Sequence, residues 1–343
     1  MLFISFSDVF NNGIWANTEH LQDENLQRNL DRLKRTVIAS RAPGTTEGYR
    51  RAFLRWKKFT LSYQHMKVLP AAPLDVALYL QAVMADTGSA SSVESAFYAI
   101  NWAHSLAGVE SPTTHPVVIA VRDAAVRNLG KRKENRKKPI TPDHIKSLIE
   151  CSNLSNLLCL RNVCVFTLAF AGFFRIEEVL NIKRNNISFI ENGITILVES
   201  SKTDQLRLGN EVIISRIPGS ISCPVVLLEM YLEKAKIISS SKEYLFRPIS
   251  KIRAGHRLIG DNKPISYTTI REAFKESFKS IVPDISEYST HSLRAGGATS
   301  AANAGIPDRV FQRHGRWKSS SAKDGYVLDN LDLRASVSKS LGL

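Results

Sequence analysis

Eight residues near the middle of the chain, Lys131-Arg132-Lys133-Glu134-Asn135-Arg136-Lys137-Lys138, carry six positive charges and no hydrophobic period, and run straight into Pro139. A stretch that can bury nothing cannot lie inside a core, so it divides the chain into two bodies. The length points the same way: at 343 residues the chain exceeds the ~250–300 at which single cores usually split. The predicted organisation is an N-terminal extension over residues 1–40 with no assigned role, a helical domain over 41–130, a basic linker over 131–140, and a larger domain with a C-terminal tail over 141–343. The linker has three readings, which do not all exclude one another: a solvated connector, a strap contacting phosphates, or a nuclear-import signal.

The first domain reads as all-helical. Tyr49, Ala52, Phe53, Trp56 and Phe59 recur at helical spacing, with Arg50, Arg51, Arg55, Lys57 and Lys58 between them. Further helices are predicted from Pro73 to Thr87 with Gly88 as the stop, from Ser91 or Ser92 towards Gly108, and from Pro116 to Gly130. The aromatic residues are expected in the core rather than as platforms for stacked bases.

The second domain is mixed. Thr141-Pro142-Asp143 is a helix start, and Asn156 to Gly172 makes a buried helix. A β-hairpin is predicted from Ile187–Ile190 and Ile194–Glu199 around Glu191-Asn192-Gly193, with a third short strand over Glu211–Ile217. Helices resume at Pro224–Ile237, Thr268–Ile281, Ser292–Ala304 and Pro307–Gln312. The fold class expected is therefore mainly α with one small antiparallel β-sheet.

Composition narrows the function classes. The net charge is +14, and it is unevenly spread. Residues 1–40 hold 4 basic and 5 acidic residues, residues 41–138 hold 15 and 7, and residues 139–343 hold 27 and 20. Such a balance points to a polyanionic partner, nucleic acid first. The four cysteines (Cys151, Cys159, Cys164, Cys223) form no C-x-x-C pair and no disulfide scaffold, which fits a reducing compartment. The longest apolar run, Asn162 to Phe174, is bounded by Arg161 and Arg175 and is too short to span a bilayer, and the N-terminus does not read as a signal peptide. A soluble, intracellular, DNA-associated protein with no membrane association is expected. A Walker-type loop, H-E-x-x-H, G-x-S-x-G and Cys/His zinc spacing are all missing, so chemistry with no metal or other cofactor is expected.

The residues that stand out lie in the second domain. HSLRAGGATSAANAG at 291–305 puts His291 and Arg294 three apart, followed by small residues that permit close approach of another backbone or a phosphate. Twenty-three residues beyond Arg294 comes Trp317 in HGRWKS, and nine further comes Tyr326 in KDGYVLDN. Upstream, Arg175 and Glu178 form R-x-x-E in AGFFRIEEVL, and Lys202 sits in SSKTDQ between two predicted strands.

This ordered set resembles the tyrosine recombinases, the family of phage integrases, Xer proteins and Cre, over residues 41 to 335. Tryptophan rather than histidine at 317 places the chain on the Cre-like side. The resemblance implies a site-specific recombinase or integrase of mobile-element origin that cuts and rejoins DNA through a covalent 3′-phosphotyrosyl intermediate, without ATP. Two alternatives stay open: a topoisomerase IB-like nicking and resealing activity, and a domesticated DNA-binding protein that does not use the nucleophile.

In the family's terms Tyr326 is the nucleophile, a phenol that must lose its proton to attack. Arg175 and Arg294 are planar forks suited to the non-bridging phosphate oxygens. His291 is the proton acceptor or a phosphate ligand, and Lys202 the general acid for the leaving 5′ oxygen. Trp317 offers an indole N–H but cannot shuttle protons. Glu178 supports the site, orienting Arg175 or the histidine, or merely forming an i,i+3 ion pair.

The resemblance also makes residues 41–130 a core-binding domain that closes with the catalytic domain as a C-shaped clamp on double-stranded DNA. Arg50, Arg51, Arg55, Lys131, Arg132, Lys133, Arg136, Lys137, Lys138, Arg313 and Arg316 are the expected DNA contacts. His314, in R-H-G-R-W, is a neighbour of the site rather than its histidine. The tail from Asp332 to Leu343, with Leu333, Val337 and Leu341 spaced along it, is expected to dock on a neighbouring subunit and build a homotetramer on two DNA sites.

Overall fold

The computed structural model describes residues 7–18, 21–130, 136–199, 209–253, 255–328 and 331–342. They fall into two compact units, divided between residues 134 and 135.

The first unit contains α1 (Ser7–Phe10), α2 (Glu24–Ile38), α3 (Pro43–Thr60), α4 (Pro73–Thr87), α5 (Ala90–Ala107) and α6 (Pro116–Leu129). Proline opens α3, α4 and α6, where its missing N–H costs nothing. Gly88 and Gly108 close α4 and α5 in the left-handed conformation, at φ 54° and 68°. Phe53 and Trp56 of α3 share a buried core with Leu80 of α4 and Ile100 of α5, with Tyr49 and Phe59 packed against it. The Trp56 indole N–H donates to the Val68 carbonyl at 2.9 Å. Phe53, Trp56, Tyr79, Phe97 and Trp102 thus build the core, whereas Tyr63 and Tyr98 are exposed.

The N-terminal extension is more structured than its sequence suggests. Asp8 pairs with Lys57 of α3 at 2.7 Å, and Trp15 donates to the Leu106 carbonyl at 2.7 Å. Helix α2 is capped by Asp23, whose carboxylate accepts the N–H groups of Asn25 and Leu26. Leu26, Leu30, Leu33, Val37 and Ile38 recur along it at helical spacing, and Leu30, Val37 and Ile38 pack on the core, so this helix was legible in the sequence although it was not among those expected.

The second unit begins with α7 (Pro142–Glu150), α8 (Leu157–Ala171) and α9 (Ile176–Leu180). Thr141 and His144 cap α7 reciprocally, each side chain accepting the other's N–H at 3.2 Å. Strands β1 (Ile187–Ile190), β2 (Gly193–Val198) and β3 (Asn210–Ser215) form an antiparallel sheet in the order β1-β2-β3, with Ile196 opposite both Ile187 and Val212. Then follow α10 (Pro224–Lys234), a hairpin of β4 (Ile249–Ile252) and β5 (Gly255–Leu258), α11 (Tyr267–Phe278), α12 (His291–Asn303), α13 (Asp308–Gly315), α14 (Ser320–Asp324) and α15 (Leu331–Lys339). The β4–β5 hairpin was not expected: Ser250, Lys251, His256 and Arg257 give it no apolar face for an alternation to reveal.

Helix α8 is the axis of this unit. Leu160, Val165, Phe166 and Leu168 are fully buried, and Phe166 meets Phe274 and Phe278 of α11, each at 5.8 Å between ring centroids. Burying one such phenylalanine contributes ~1.5–3 kcal/mol.

The stretch expected as a linker divides. Lys131, Arg132 and Lys133 lie outside the described residues. Residues 136–140 instead run along the second unit: the Lys138 N–H donates to the Glu287 carbonyl at 2.9 Å, and the Ile140 N–H to that of Ser292 at the same distance. Ile140 is fully buried.

Candidate active site

The C-terminal end of α8 sets the stage. A helix end leaves carbonyls without intrahelical partners and favours cations nearby. Here Ala171, Gly172 and Phe173 present consecutive carbonyls, and each is taken by a nitrogen-bearing side chain from a later element. His314 Nε2 lies 2.9 Å from the Ala171 oxygen, and Arg316 Nη1 donates to Gly172 at 3.1 Å. Phe173 accepts from Arg316 Nη2 at 3.1 Å and also from Arg294 Nη1. Burial holds His314 below the ordinary histidine range.

Arg175 follows directly as the residue before α9. Its N–H donates to Glu178 Oε2 at 2.9 Å and its Nη1 to Oε1 at 2.8 Å. The R-x-x-E spacing thus makes half a capping box plus an ion pair. Glu178 is buried and gathers two further guanidiniums, Arg316 at 2.8 Å and Arg294 at 3.8 Å. Burial alone would raise its carboxyl. The charges of Arg316, Arg294 and Arg175 and the Arg175 N–H outweigh burial and hold it below the usual carboxylate range.

Helix α12 delivers the next pair. His291 opens the helix and is exposed, whereas Arg294, one turn on, is fully buried. Arg294 Nη2 donates to the Gly315 carbonyl at 2.7 Å. Burial, with Arg175 nearby, lowers its guanidinium below the ordinary arginine value. The small residues after Arg294 serve backbone approach. A Cβ on Gly296 would sit 1.9 Å from the Ile140 carbonyl oxygen, and one on Gly297 2.1 Å from that of Phe170.

Trp317 is buried in a small cluster with Phe173, Ala298 and Phe311, against which Tyr326 packs. Its ring centroid lies 5.2 Å from Phe311 and 5.6 Å from Tyr326. The Arg294 guanidinium carbon lies 4.7 Å from the Trp317 ring centroid and 4.9 Å from that of Tyr326. Trp317 Nε1 is buried with no hydrogen-bond partner among the described residues. Such a donor is free to meet an acceptor that a ligand supplies. Tyr326 is half-buried, its carbonyl 3.4 Å from the Thr299 hydroxyl that also accepts the Leu328 N–H.

Five of the residues singled out from sequence thus converge: Arg175, Glu178, Arg294, Trp317 and Tyr326. Lys202 lies outside the described residues, between the end of β2 and the start of β3. Arg313 is exposed on α13. Arg316, expected as a DNA contact, is corrected: it is 8% exposed and its guanidinium points inward to Glu178. Its setting gives no local signal, because H-G-R-W-K is a short basic run whose buried acceptors lie far away in the chain. Gly315 is the last residue of α13, where a Cβ would strike the Trp317 ring at 1.8 Å, and Arg316 follows in the left-handed position at φ 58°.

Among the other expected DNA contacts, Arg50 forks onto Glu47 at 2.7 and 2.8 Å, with Arg51 3.3 Å from the same carboxylate. Arg55 and Arg136 are exposed. Lys137 donates to the Ser286 carbonyl at 2.6 Å, and Lys138 pairs with Glu287 at 2.5 Å. Among the described residues no group of three or more His, Cys, Asp or Glu side chains is disposed to hold a metal ion, and no helix is long and apolar enough to cross a membrane.

Comparison with known proteins defines the class. The Phage integrase family matches residues 138–330, more than half of the chain and the whole of the site just described. The chain belongs to this family, the tyrosine recombinases, which break and rejoin DNA. It is 28% identical over 309 residues to an integrase/recombinase XerD homologue of Selenomonas ruminantium, covering 89% of this chain and 87% of that one. It is 23% identical over 296 residues to the recombinase Cre of Escherichia phage P1, covering 82% of each. Among solved structures, the XerH site-specific recombinase bound to a palindromic difH substrate, in a post-cleavage complex, matches with a TM-score of 0.61. That match is 13% identical and covers 85% of this chain and 79% of that one.

Proposed function

We propose that this protein is a site-specific DNA recombinase or integrase in which Tyr326 attacks a backbone phosphate and forms a covalent 3′-phosphotyrosyl intermediate. The observation that carries this reading is the stacking of the Arg294 guanidinium against both Trp317 and Tyr326, beside a carboxylate that orients Arg175. As phenolate oxygen bonds to phosphorus, charge develops on the non-bridging oxygens, where Arg175, Arg294 and the Trp317 N–H act as donors. His291 receives the phenol proton or binds the phosphate, and Lys202 protonates the leaving 5′ oxygen. Rejoining reverses these steps, and the phosphotyrosyl bond conserves the energy of the broken one.

Exposed basic residues of each unit, Arg55, Arg136 and Arg313 among them, contact the DNA backbone. Two copies on each of two sites would give a tetramer. The tail supports this: Val337 and Leu341, near and beyond the end of α15, are both exposed, as apolar residues meant for a neighbouring subunit would be.

The test is incubation with nicked suicide duplexes followed by denaturing electrophoresis. A covalent protein–DNA adduct is expected, absent in Tyr326→Phe and unaffected by chelators. An adduct formed by Tyr326→Phe refutes the assignment. A plasmid with two sites separates the activities, since exchange between sites marks recombination and loss of supercoils alone marks a topoisomerase.

A further inference from the structure

A site built to receive an anion contains a buried carboxylate, Glu178, and the structure accounts for it through Arg316. Of three guanidiniums around Glu178, Arg175 and Arg294 are assigned to the phosphate. Both terminal nitrogens of Arg316 are committed within the protein, and only its Nε lacks a partner among the described residues. Its Nη1 donates to the Gly172 and His314 carbonyls at 3.1 and 3.0 Å, its Nη2 to Phe173 and Glu178 at 3.1 and 2.8 Å, and its carbon lies 4.7 Å over the Phe174 ring.

We propose that Arg316 is a positioning residue for strand cleavage, locking the loop that carries Arg175 to the segment that carries Trp317 and Tyr326. The proposal rests on the reading that Tyr326 and Arg175 perform the chemistry.

Geometry and charge support it together. Phe173 and Arg316 both hold the left-handed backbone region, at φ 47° and 58°, which is strained for non-glycine residues and persists only where surroundings enforce it. Arg316 joins them directly through its bond to the Phe173 carbonyl, beside the Arg294 and His314 contacts that also link the end of α8 to α13. A hydrogen-bonded fork fixes both position and orientation, which a lysine cannot do. Arg316 also neutralises Glu178, so that Arg175 and Arg294 keep their charge for the phosphate.

The groups facing Glu178 are Arg175 from its own turn, Arg294 from α12 and Arg316 after α13. Lys183, Glu199 and Tyr244 line a cavity with it on the other side. Of these, Arg316 opposes most strongly the effect of burial on its carboxyl.

The experiment compares Arg316→Met, Arg316→Lys, Glu178→Gln and the Arg316→Met/Glu178→Gln double variant of the full chain. Single-turnover adduct formation on a nicked suicide duplex is followed across pH, alongside DNA affinity and melting temperature. Arg316→Met is expected to slow adduct formation by roughly 10²-fold, the scale of a misplacement near 1 Å, with DNA affinity little changed. With the opposing cation gone, burial raises the Glu178 carboxyl, so the variant loses activity towards acid pH where the wild type does not. The double variant should be no slower than Glu178→Gln alone, because both changes release the same loop.

Arg316→Lys, which keeps a cation beside Glu178, should retain the wild-type pH profile at a reduced rate; it carries the test if Arg316→Met does not fold. The proposal is overturned if rate falls only in proportion to stability or DNA affinity, if the two losses add, if the acid side does not move, or if Arg316→Lys cleaves like wild type. Tyr326→Phe runs in parallel. If it still forms adduct, the recombinase reading fails; if it does not and the Arg316 results go the other way, only the role of Arg316 fails.

Discussion

The guanidinium carbon of Arg294 lies 4.9 Å from the centre of the Tyr326 ring, while two of its nitrogens are committed to the carbonyls of Phe173 and Gly315. One side chain therefore ties the end of α8, the end of α13 and the nucleophile segment to a single point. Its Nε has no partner among the described residues, which leaves a donor for substrate.

Replacing Arg294 by lysine preserves charge but loses the fork, the ring stacking and one of the two carbonyl bonds. Adduct formation is expected to fall by ~10²–10³ while DNA affinity holds. Single-turnover cleavage beside a filter-binding assay checks this. Cleavage within a few-fold of wild type would remove Arg294 from the chemistry.

Trp317 divides its work between ring and N–H. Trp317→Phe keeps an aromatic ring beside Phe311 and Tyr326 but removes the unpartnered donor together with several buried ring atoms. Stability should fall by about 1–3 kcal/mol from the cavity left behind, and cleavage by folded enzyme should slow by roughly tenfold, the worth of one hydrogen bond of ~1.5 kcal/mol. An unchanged rate with lowered stability would make Trp317 purely a core residue.

Gly297→Ala places a methyl 2.1 Å from the Phe170 carbonyl oxygen and 2.7 Å from the Phe173 ring. Phe170 lies in the last turn of α8 and Phe173 in the turn that presents Arg175, and a carbonyl on a helix end has little room to yield. A loss of about 1–3 kcal/mol is expected by denaturant titration, with cleavage reduced beyond what unfolding explains. Wild-type stability in this variant would contradict the packing described.

His104 gives the first unit a pH response. Its Nε2 accepts the Ala71 N–H at 3.0 Å and its Nδ1 faces the Ile100 carbonyl at 2.8 Å, an arrangement that only the neutral ring with its proton on Nδ1 completes. Burial lowers its folded-state value. The unfolded chain therefore takes up a proton below ~6.5 that the folded chain refuses, so stability is full above that value and declines as pH falls through it. Urea titrations at pH 7.5 and 5.5 should show this decline in wild type, and a smaller one in His104→Gln. An equal slope in both would locate the effect elsewhere, His314 being the comparable group of the second unit.

Much of the fold was legible because local signals agreed with tertiary demands. The predicted span Pro73–Thr87 is the helix observed, and Ile187–Ile190 is the first strand of the predicted hairpin. Thr141 and Asn156 cap the helices they were expected to open. Helix α2 carries an Asp23 cap and an apolar stripe from Leu26 to Ile38 and was legible though not predicted. The other elements that escaped notice had no local pattern to show: β4 and β5 have no apolar face, and α9 and α14 are a little over one turn each. Of the site, R-x-x-E could be read as an ion pair because both partners sit on one helical turn.

The sequence by itself determined which residue types are present, in what order, and at what spacing along helices; that was enough to select Arg175, Glu178, Arg294, Trp317 and Tyr326. Only the tertiary structure decided which way the charges face. Arg313, Arg316 and Lys318 look alike as a basic run, yet two are exposed and Arg316 is buried against Glu178, 138 positions earlier in the chain. The reason is physical. A guanidinium leaves water only where carbonyls and a carboxylate replace its hydration. Those acceptors come from the end of α8 and the turn beyond it, which folding alone brings within reach.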